Sequence, residues 1–468
     1  MAGGDARHLR RRTRAIALWL PVVLVLAVLA AAATAYVLDV GESDGPEGPA
    51  AIAPPPGLDL PDVTAPEPVA GPATGTADPA RVRRAVTGVL EDADLGPHVR
   101  ATVSAPDGTL LYAGGTGDVT PASTLKLLTT TAALELLGPD HVFDTSVVAD
   151  GAHRVVLVGG GDPLLARRDL RDLARETAQA LRAQGAPRKV RVAYDTSLFS
   201  GPDVNPHWPE TYIPEGVVSP IQALWVDEGR PASGFGRVED PAAAAAQEFA
   251  TQLGNAGVTI TGTPRQRTAP EAAPELASVS SQPLGLLVEH TIATSDNEAA
   301  EVLARHVGLA ASGRGTFAAG ADAVLATVGD LGVPVQGARV YDGSGLSRED
   351  RIDPDTLTAV LELAGADARP ELRAVLTGLP VAGFTGSLAY RFDTDPDGRG
   401  FVRAKTGTLS GVSGLAGTVT SRDGVPMVFA FLADRIDLVD TLGARAALDD
   451  ATSALAACRC GAAGTVAP

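Results

Sequence analysis

The sequence predicts an α/β protein of the α+β kind, an antiparallel sheet flanked by helices and interrupted by a large α/β insert, and three features carry that prediction. Three strand-like runs follow closely near the C-terminus, Val402–Thr408, Gly414–Thr420 and Met427–Ala433, with a helical run through Leu442–Ala457 after them. This is the order of an antiparallel meander covered by a helix. Near the other end, Val99–Ser104, a turn at Asp107-Gly108 and Thr109–Tyr112 give a hairpin signal. From about His141 to Gln282, strand patterns (Val147–Val148, Val155–Val158, Val190–Ala193, Val258–Ile260) alternate with helix patterns (Leu170–Gln184, Ala242–Leu253) and long Pro- and Gly-rich connections. That region reads as a separate inserted α/β unit.

At 468 residues the chain is long for one domain. Hydrophobic residues make up 45% but aromatics only 4%, so the core must rely on Ala, Leu and Val. A formal net charge of −18 argues against nucleic-acid binding. Cys458 and Cys460 can pair locally or stay reduced, and they define no disulfide framework or zinc site. The seven histidines show no metal-ligand spacing, so metal catalysis is not expected, and the serine and lysine chemistry of the motifs requires no organic cofactor.

In chain order, Arg7, Arg10, Arg11, Arg12 and Arg14 precede an uncharged run from Ala15 to Leu38, long enough to span a bilayer with the arginines on the cytoplasmic side. The alternative is a cleaved signal peptide, since Ala33-Thr34-Ala35 resembles a cleavage site. The run is long for a signal h-region, which favours a retained anchor in residues 1–40; either way the acidic bulk is extracytoplasmic. Residues 41–80 hold ten prolines and no apolar period, and read as an extended spacer. An amphipathic helix is expected around Arg81–Leu90, then the hairpin.

A second helix follows, opening on Pro121-Ala122-Ser123-Thr124-Leu125-Lys126 and stopping at Gly138-Pro139. Residues at i and i+3 share a helix face with Cβ atoms about 5–6 Å apart, so Lys126 can reach the Ser123 hydroxyl. A neutral amine there acts as base for a serine nucleophile. Ser-x-x-Lys also arises by chance, but lysine is scarce here: of 38 basic residues only Lys126, Lys189 and Lys405 are lysine. Arginine cannot lose its proton in a protein, whereas a desolvated lysine can. Placed in the first turn, Ser123 would also have backbone N–H groups and the positive helix end beside it.

Within the insert, Gly159-Gly160-Gly161-Asp162-Pro163 lacks the Gly-Lys-Ser/Thr ending of a phosphate loop and reads as a tight turn. Trp208 and Trp225 read as anchors of a long loop, with stacking on sugar rings as the alternative. A helix at Leu284–Ile292 is followed by Thr294-Ser295-Asp296-Asn297-Glu298 and a second helix through Val307, so Ser295 and Asn297 fall on the junction. Such a cluster is also an ordinary N-cap. A helix near Phe317–Leu331, a strand and turn through Val340–Gly345, and short helices to about Leu376 lead to the meander. Its first strand carries Lys405-Thr406-Gly407-Thr408.

Ser-x-x-Lys, Ser-Asp-Asn and Lys-Thr-Gly, in that order, resemble the signature of penicillin-recognising serine enzymes. With 172 residues from Ser123 to Ser295, the chain resembles the class C low-molecular-mass penicillin-binding proteins, the D-alanyl-D-alanine carboxypeptidase/endopeptidase family, whose large insert lies between the first two motifs. Asp342-Gly343-Ser344-Gly345-Leu346-Ser347 and Gly159–Pro163 also look like segments of that family. The resemblance implies a transpeptidase-like catalytic domain in 81–140 and 283–460, with the insert at 141–282. It implies Ser123 as acylated nucleophile, Lys126 as general base and Ser295 as proton relay to the leaving amine. Asn297 would hold a substrate amide or carbonyl, Lys405 supply a positive field, and Thr406 contact the terminal carboxylate. The N–H groups of Ser123 and Thr408 would form the oxyanion hole.

The residues support the same chemistry. A peptide with a free carboxylate needs a cation and hydroxyls, a nucleophile about one residue inward and an edge strand to pair with, and Gly407 would leave room for its backbone. The implied activity is a serine D-Ala-D-Ala carboxypeptidase, with endopeptidase action on crosslinks as a further option. Peptidoglycan stem peptides are the expected substrates and β-lactams the expected inhibitors. The rival readings are a serine β-lactamase, which would turn over nitrocefin rapidly, and a non-catalytic membrane-tethered wall-binding protein, which would bind muropeptides without releasing D-alanine.

Overall fold

A computed structural model of the chain describes residues 75–462 apart from 186–188, 232, 235 and 394–395, and these fall in one compact unit. The run Ala15–Leu38 and most of the spacer lie outside the described residues. Among the described residues no helix is long and apolar enough to cross a membrane.

Helix α1 (Pro79–Val86) starts where the Asp78 carboxylate accepts the Ala80 N–H and proline takes the first helical position. It ends at Val86 rather than at Leu90, with turns continuing beyond. The hairpin follows as β1 (Val99–Ser104) and β2 (Leu110–Gly114). A 3₁₀ turn, Ala122–Leu125, runs directly into α2 (Lys126–Leu137), which stops at Gly138 with φ +84°. Every residue of α2 from Lys126 to Leu134 is buried, so this helix has no solvent stripe to place and is gripped on all sides.

The insert comprises β3 (Asp144–Ala149), β4 (Arg154–Val158), α3 (Arg167–Ala183), β5 (Lys189–Asp195), α4 (Pro241–Asn255), β6 (Thr259–Ile260), β7 (Arg265–Gln266) and β8 (Glu275–Ser280). Helices α5 (Leu284–Thr294), α6 (Asn297–Ser312), α7 (Phe317–Asp330), α8 (Pro354–Gly365) and α9 (Ala374–Thr377) come next. Strands β9 (Val402–Leu409), β10 (Val412–Thr420) and β11 (Pro426–Ala433), then α10 (Thr441–Ala457), complete the described elements. Just past α10, Cys458 and Cys460 form a disulfide.

The first sheet has the order β2-β1-β11-β10-β9 and is antiparallel throughout. Alternation along β11 separates two cores. Met427, Phe429 and Phe431 pack with Val82 of α1 and Leu448 of α10. Val428, Ala430 and Leu432 face Leu128 of α2, Leu303 of α6 and Val360 of α8. Strand β9 is therefore an edge, as the placement of Lys405 requires.

In the insert the order is β6-β5-β4-β3-β8, with β7 also pairing with β5. Val155, Leu157, Val190 and Val192 pack on Leu170 and Leu173 of α3 and Phe249 and Leu253 of α4. The same core runs on into Val302 of α6 and Phe317 of α7. Gly159–Gly161 make the expected tight turn: a Cβ on Gly160 would lie 1.8 Å from the Asp144 carbonyl oxygen, and one on Gly161 2.4 Å from His306 Nε2. Both tryptophans are buried anchors, the Trp225 indole donating to the Asp162 carbonyl at 3.0 Å and that of Trp208 to Asp342 Oδ2 at 2.8 Å.

The strand expected at Val340–Gly345 does not form; the segment is an irregular loop. Carboxylates take its N–H groups in place of a neighbouring strand. Asp350 Oδ1 accepts from Tyr341 N at 2.9 Å, Asp342 Oδ1 from Gly345 N at 2.7 Å, and Asp342 Oδ2 from Ser347 N at 2.6 Å. Asp342→Asn would set an amide donor against one of these donors. Losing one such charge-assisted bond should cost about 1.5–3 kcal/mol, measured as a lower urea midpoint at unchanged m; an unaltered midpoint would refute this account of the loop.

Candidate active site

The three motifs converge. Lys126 Nζ lies 2.9 Å from Ser123 Oγ, 2.8 Å from Asn297 Oδ1 and 2.8 Å from the Ser344 carbonyl oxygen. Lys405 Nζ lies 2.7 Å from Ser295 Oγ and 2.8 Å from the Thr406 carbonyl oxygen. Both lysines are fully buried, while Ser123 and Ser295 are partly open to solvent.

Local structure explains each position. Ser123 sits in the 3₁₀ turn ahead of α2, and Ala122 before it is held at φ +46°, a region that non-glycine residues seldom occupy. Ser295 closes α5 in the left-handed region, φ +61° and ψ +38°. Asp296 then caps α6, accepting from Ala299 N at 2.9 Å, which makes Asn297 the first residue of that helix. The middle motif is thus both a cap and a site. The sharp turn at Ser295 lets Ser295 serve Lys405 while Asn297 serves Lys126.

The third motif meets the first through missing side chains. A Cβ on Gly407 would lie 2.7 Å from the Pro121 carbonyl oxygen and 3.3 Å from Thr124 N; one on Gly414, its partner on β10, would lie 3.4 Å from Thr124 Cγ2. The space expected to admit substrate backbone at Gly407 is filled by the turn that carries Ser123. Along β9, Ala404 N donates to the Pro380 carbonyl and the Val402 carbonyl accepts from Ala382 N. Even-numbered residues therefore direct their backbone groups away from β10, and by alternation Thr406 and Thr408 carry this outward edge past Ser123. Thr408 is exposed; the Thr406 hydroxyl is 2.9 Å from Ser387 Oγ.

Burial lowers Lys126 to about 8, against an opposing pull from Asp342 and Glu301. Burial, and then the nearby Lys126 amine, hold Lys405 well below the ordinary lysine value. A neutral Lys126 can donate to Asn297 and to the Ser344 carbonyl while its lone pair faces the Ser123 hydroxyl. Behind it, Glu301 is pushed up to about 8, first by burial and then by Asp342. Its Oε1 accepts from Gly343 N at 3.0 Å and Ser344 N at 2.8 Å, fixing the carbonyl that receives Lys126.

The insert closes one side. Asn297 Nδ2 donates to the Val217 carbonyl at 3.4 Å, and Arg237 Nε donates to Glu298 Oε1 at 2.5 Å. Glu228, His290 and Asp296 bring three metal-capable atoms within 4.8 Å of one another. Protein groups already meet their charges. Arg230 Nη2 is 2.8 Å from Glu228 Oε2, His290 Nε2 is 3.7 Å from Asp296 Oδ2, and burial followed by the Asp296 charge raises Glu228, which hydrogen-bonds to Asp296, to about 7.

Every residue expected at the site from the sequence, Ser123, Lys126, Ser295, Asn297, Lys405, Thr406, Gly407 and Thr408, lies on these three segments. Ser344 was noted only within the Asp342–Ser347 segment and given no role, and Glu301, Ser387 and Glu228 had not been singled out. Glu301 follows Asn297 by one helical turn on α6, a spacing that could have drawn attention to it; Ser387 and Glu228 carry no local signal.

The model of the D-Ala-D-Ala carboxypeptidase 3 (S13) family matches residues 82–234 and 230–455. Carboxypeptidase DacB of Mycolicibacterium smegmatis is 35% identical over 97% of this chain and 99% of its own. Carboxypeptidase Rv3627c of Mycobacterium tuberculosis is 36% identical over 77% of this chain and 81% of its own. Among solved structures, penicillin binding protein 4 (dacB) from Haemophilus influenzae superposes with a TM-score of 0.65 at 22% identity, over 77% of this chain and 94% of that one, a likeness of fold. With the family's model spanning both sides of the insert and the three motifs meeting at one pair of buried amines, the chain belongs to the D-Ala-D-Ala carboxypeptidase 3 (S13) family.

Proposed function

We propose that this chain is a serine-type D-Ala-D-Ala carboxypeptidase acting on peptidoglycan stem peptides through an acyl-enzyme. The observation that carries it is the buried Lys126 amine, 2.9 Å from Ser123 Oγ and depressed to about 8. Relatives named D-alanyl-D-alanine carboxypeptidase, among them that of Actinomadura sp. at 31% identity, support the substrate.

In the first step Ser123 Oγ attacks the carbonyl carbon of the penultimate D-alanine as its proton passes to Lys126. The oxyanion is held by the backbone N–H groups of Ser123 and Thr408. Ser295, hydrogen-bonded to Lys405, passes a proton to the departing amine of D-alanine and recovers one from Lys126, and the C–N bond breaks. Water then attacks the ester, its proton passing to Lys126 and on to the Ser123 oxygen as the acyl group leaves. The terminal carboxylate would lie against Thr406 and Ser387, within the field of Lys405. Its arrival favours the charged amine.

The internal crosslink presents the same bond chemistry, so endopeptidase action is proposed beside carboxypeptidase action. A β-lactam would acylate Ser123 and persist there. The arginines before Ala15 and the length of the uncharged run support a single membrane anchor with the catalytic part outside the cytoplasm.

Mass spectrometry after benzylpenicillin treatment should show a lasting adduct on the wild type and none on Ser123→Ala; rapid nitrocefin turnover would instead make the chain a β-lactamase. Because the base must be neutral, kcat/KM for D-alanine release should rise about tenfold per pH unit and level off above about 8; a limb centred near 10 would exclude Lys126 as that base. Gly407→Ala should force β9 away from the nucleophile's turn and cost on the order of 10²–10³ in kcat, the size of one oxyanion donor, with a smaller change in KM. Stopped-flow acylation at wild-type rate in that variant would refute the packing argument.

A further inference from the structure

We propose that the insert carries a binding site for the phosphate groups of a phosphodiester-linked polymer, in an arginine-lined cavity outside the catalytic machinery. The cavity holds about 1000 Å³ and is lined by Arg154, Arg191, Arg265 and Arg267, with Thr261, Thr263 and Gln266 among the other contributors and no acidic side chain.

Its position follows from the register of the insert's sheet. Arg154 of β4 lies opposite Arg191 of β5, and Arg265 of β7 lies opposite Ala193, two residues further along β5. Arg267 comes next in the chain, its N–H fixed on the Tyr194 carbonyl at 2.8 Å. The opposite face of these strands is buried against α3 and α4, so the guanidinium groups project from the face that the helices leave open.

Among the described residues Asp150 alone meets part of this charge, accepting from Arg154 Nη1 at 2.6 Å and Arg267 Nε at 2.8 Å. Those two bonds hold its carboxyl below the ordinary range. Among the described residues no carboxylate is paired with Arg191 or Arg265. Like charges on neighbouring strands destabilise a sheet unless something neutralises them, and on a chain of net charge −18 other acidic groups are plentiful. An arginine cluster only partly neutralised in so acidic a protein is therefore a site for an external anion. Planar guanidinium forks match phosphate oxygens two at a time. The width of the cavity, several arginines spread over three strands, suits successive phosphates on one chain better than a single ion.

Binding of a synthetic glycerol-phosphate oligomer to the full chain, read by calorimetry at two salt concentrations, tests the site, with poly-L-glutamate of matched charge as the carboxylate control. The oligomer should bind, weaken as salt rises, and lose about tenfold or more in affinity in the double variant Arg191→Ala/Arg265→Ala. Penicillin acylation of Ser123 in that variant should stay at the wild-type rate, which separates loss of the site from loss of the fold and from any failure of the catalytic assignment. No binding by the wild type, undiminished binding by the double variant, or equal affinity for poly-L-glutamate would each overturn the proposal.

Discussion

Two amines without solvent are the constraint around which the catalytic part is arranged. Lys126 and Lys405 are both fully buried, and the Lys126 amine adds to burial in lowering the proton affinity of Lys405. Burying an ammonium is costly unless every donor finds an acceptor and compensating charge lies near. For Lys126 the acceptors come from three separate stretches, at Ser123, Asn297 and Ser344, and the pull that opposes burial comes first from Asp342. The balance leaves an amine that releases its proton near neutral pH. Guanidinium could not replace it, which explains why a chain that otherwise uses arginine for positive charge places two of its three lysines here.

Bringing so many segments to one amine requires backbones to touch, and glycine permits this at each junction. Gly407 rests on the Pro121 carbonyl, Gly345 on that of Ala122 and Gly343 on that of Ala300, each closer than any side chain would allow. Gly345 also sits at φ +79°, where other residues are strained. The remaining strain falls on Ala122 and Ser295, the two non-glycine residues forced to positive φ at the motifs themselves. Packing on both sides of each turn holds these conformations in place.

This division explains what the sequence could reveal. Motifs and helix patterns are local: Ser123 to Lys126 is one turn, Asp296 caps its own helix, and the apolar runs of β9, β10 and β11 alternate without reference to partners. These elements were legible, as were most strands of the insert. The Val340–Gly345 segment was misread because its apolar start resembles a strand, whereas Asp342 and Asp350 supply acceptors that remove the need for a ladder. Ser387 meets Thr406 at a separation of 19 residues, and Glu228 meets Asp296 from within the insert. No periodicity marks such contacts, since each depends on two distant segments folding together.

The insert is consequently part of the site's construction. Val217 receives the Asn297 amide, Glu228 and Arg237 hold the residues on either side of Asn297, and Trp208 holds Asp342. These contacts converge on the acceptors and the carboxylate that set Lys126, so a displacement of the insert would alter Lys126 before it altered Ser123. Buried hydrogen-bonded networks act as units. One hydrophobic core runs from Val192 of β5 through Phe249 of α4 to Val302 of α6, so the insert's sheet and the helix that begins at Asn297 are packed together and cannot shift independently.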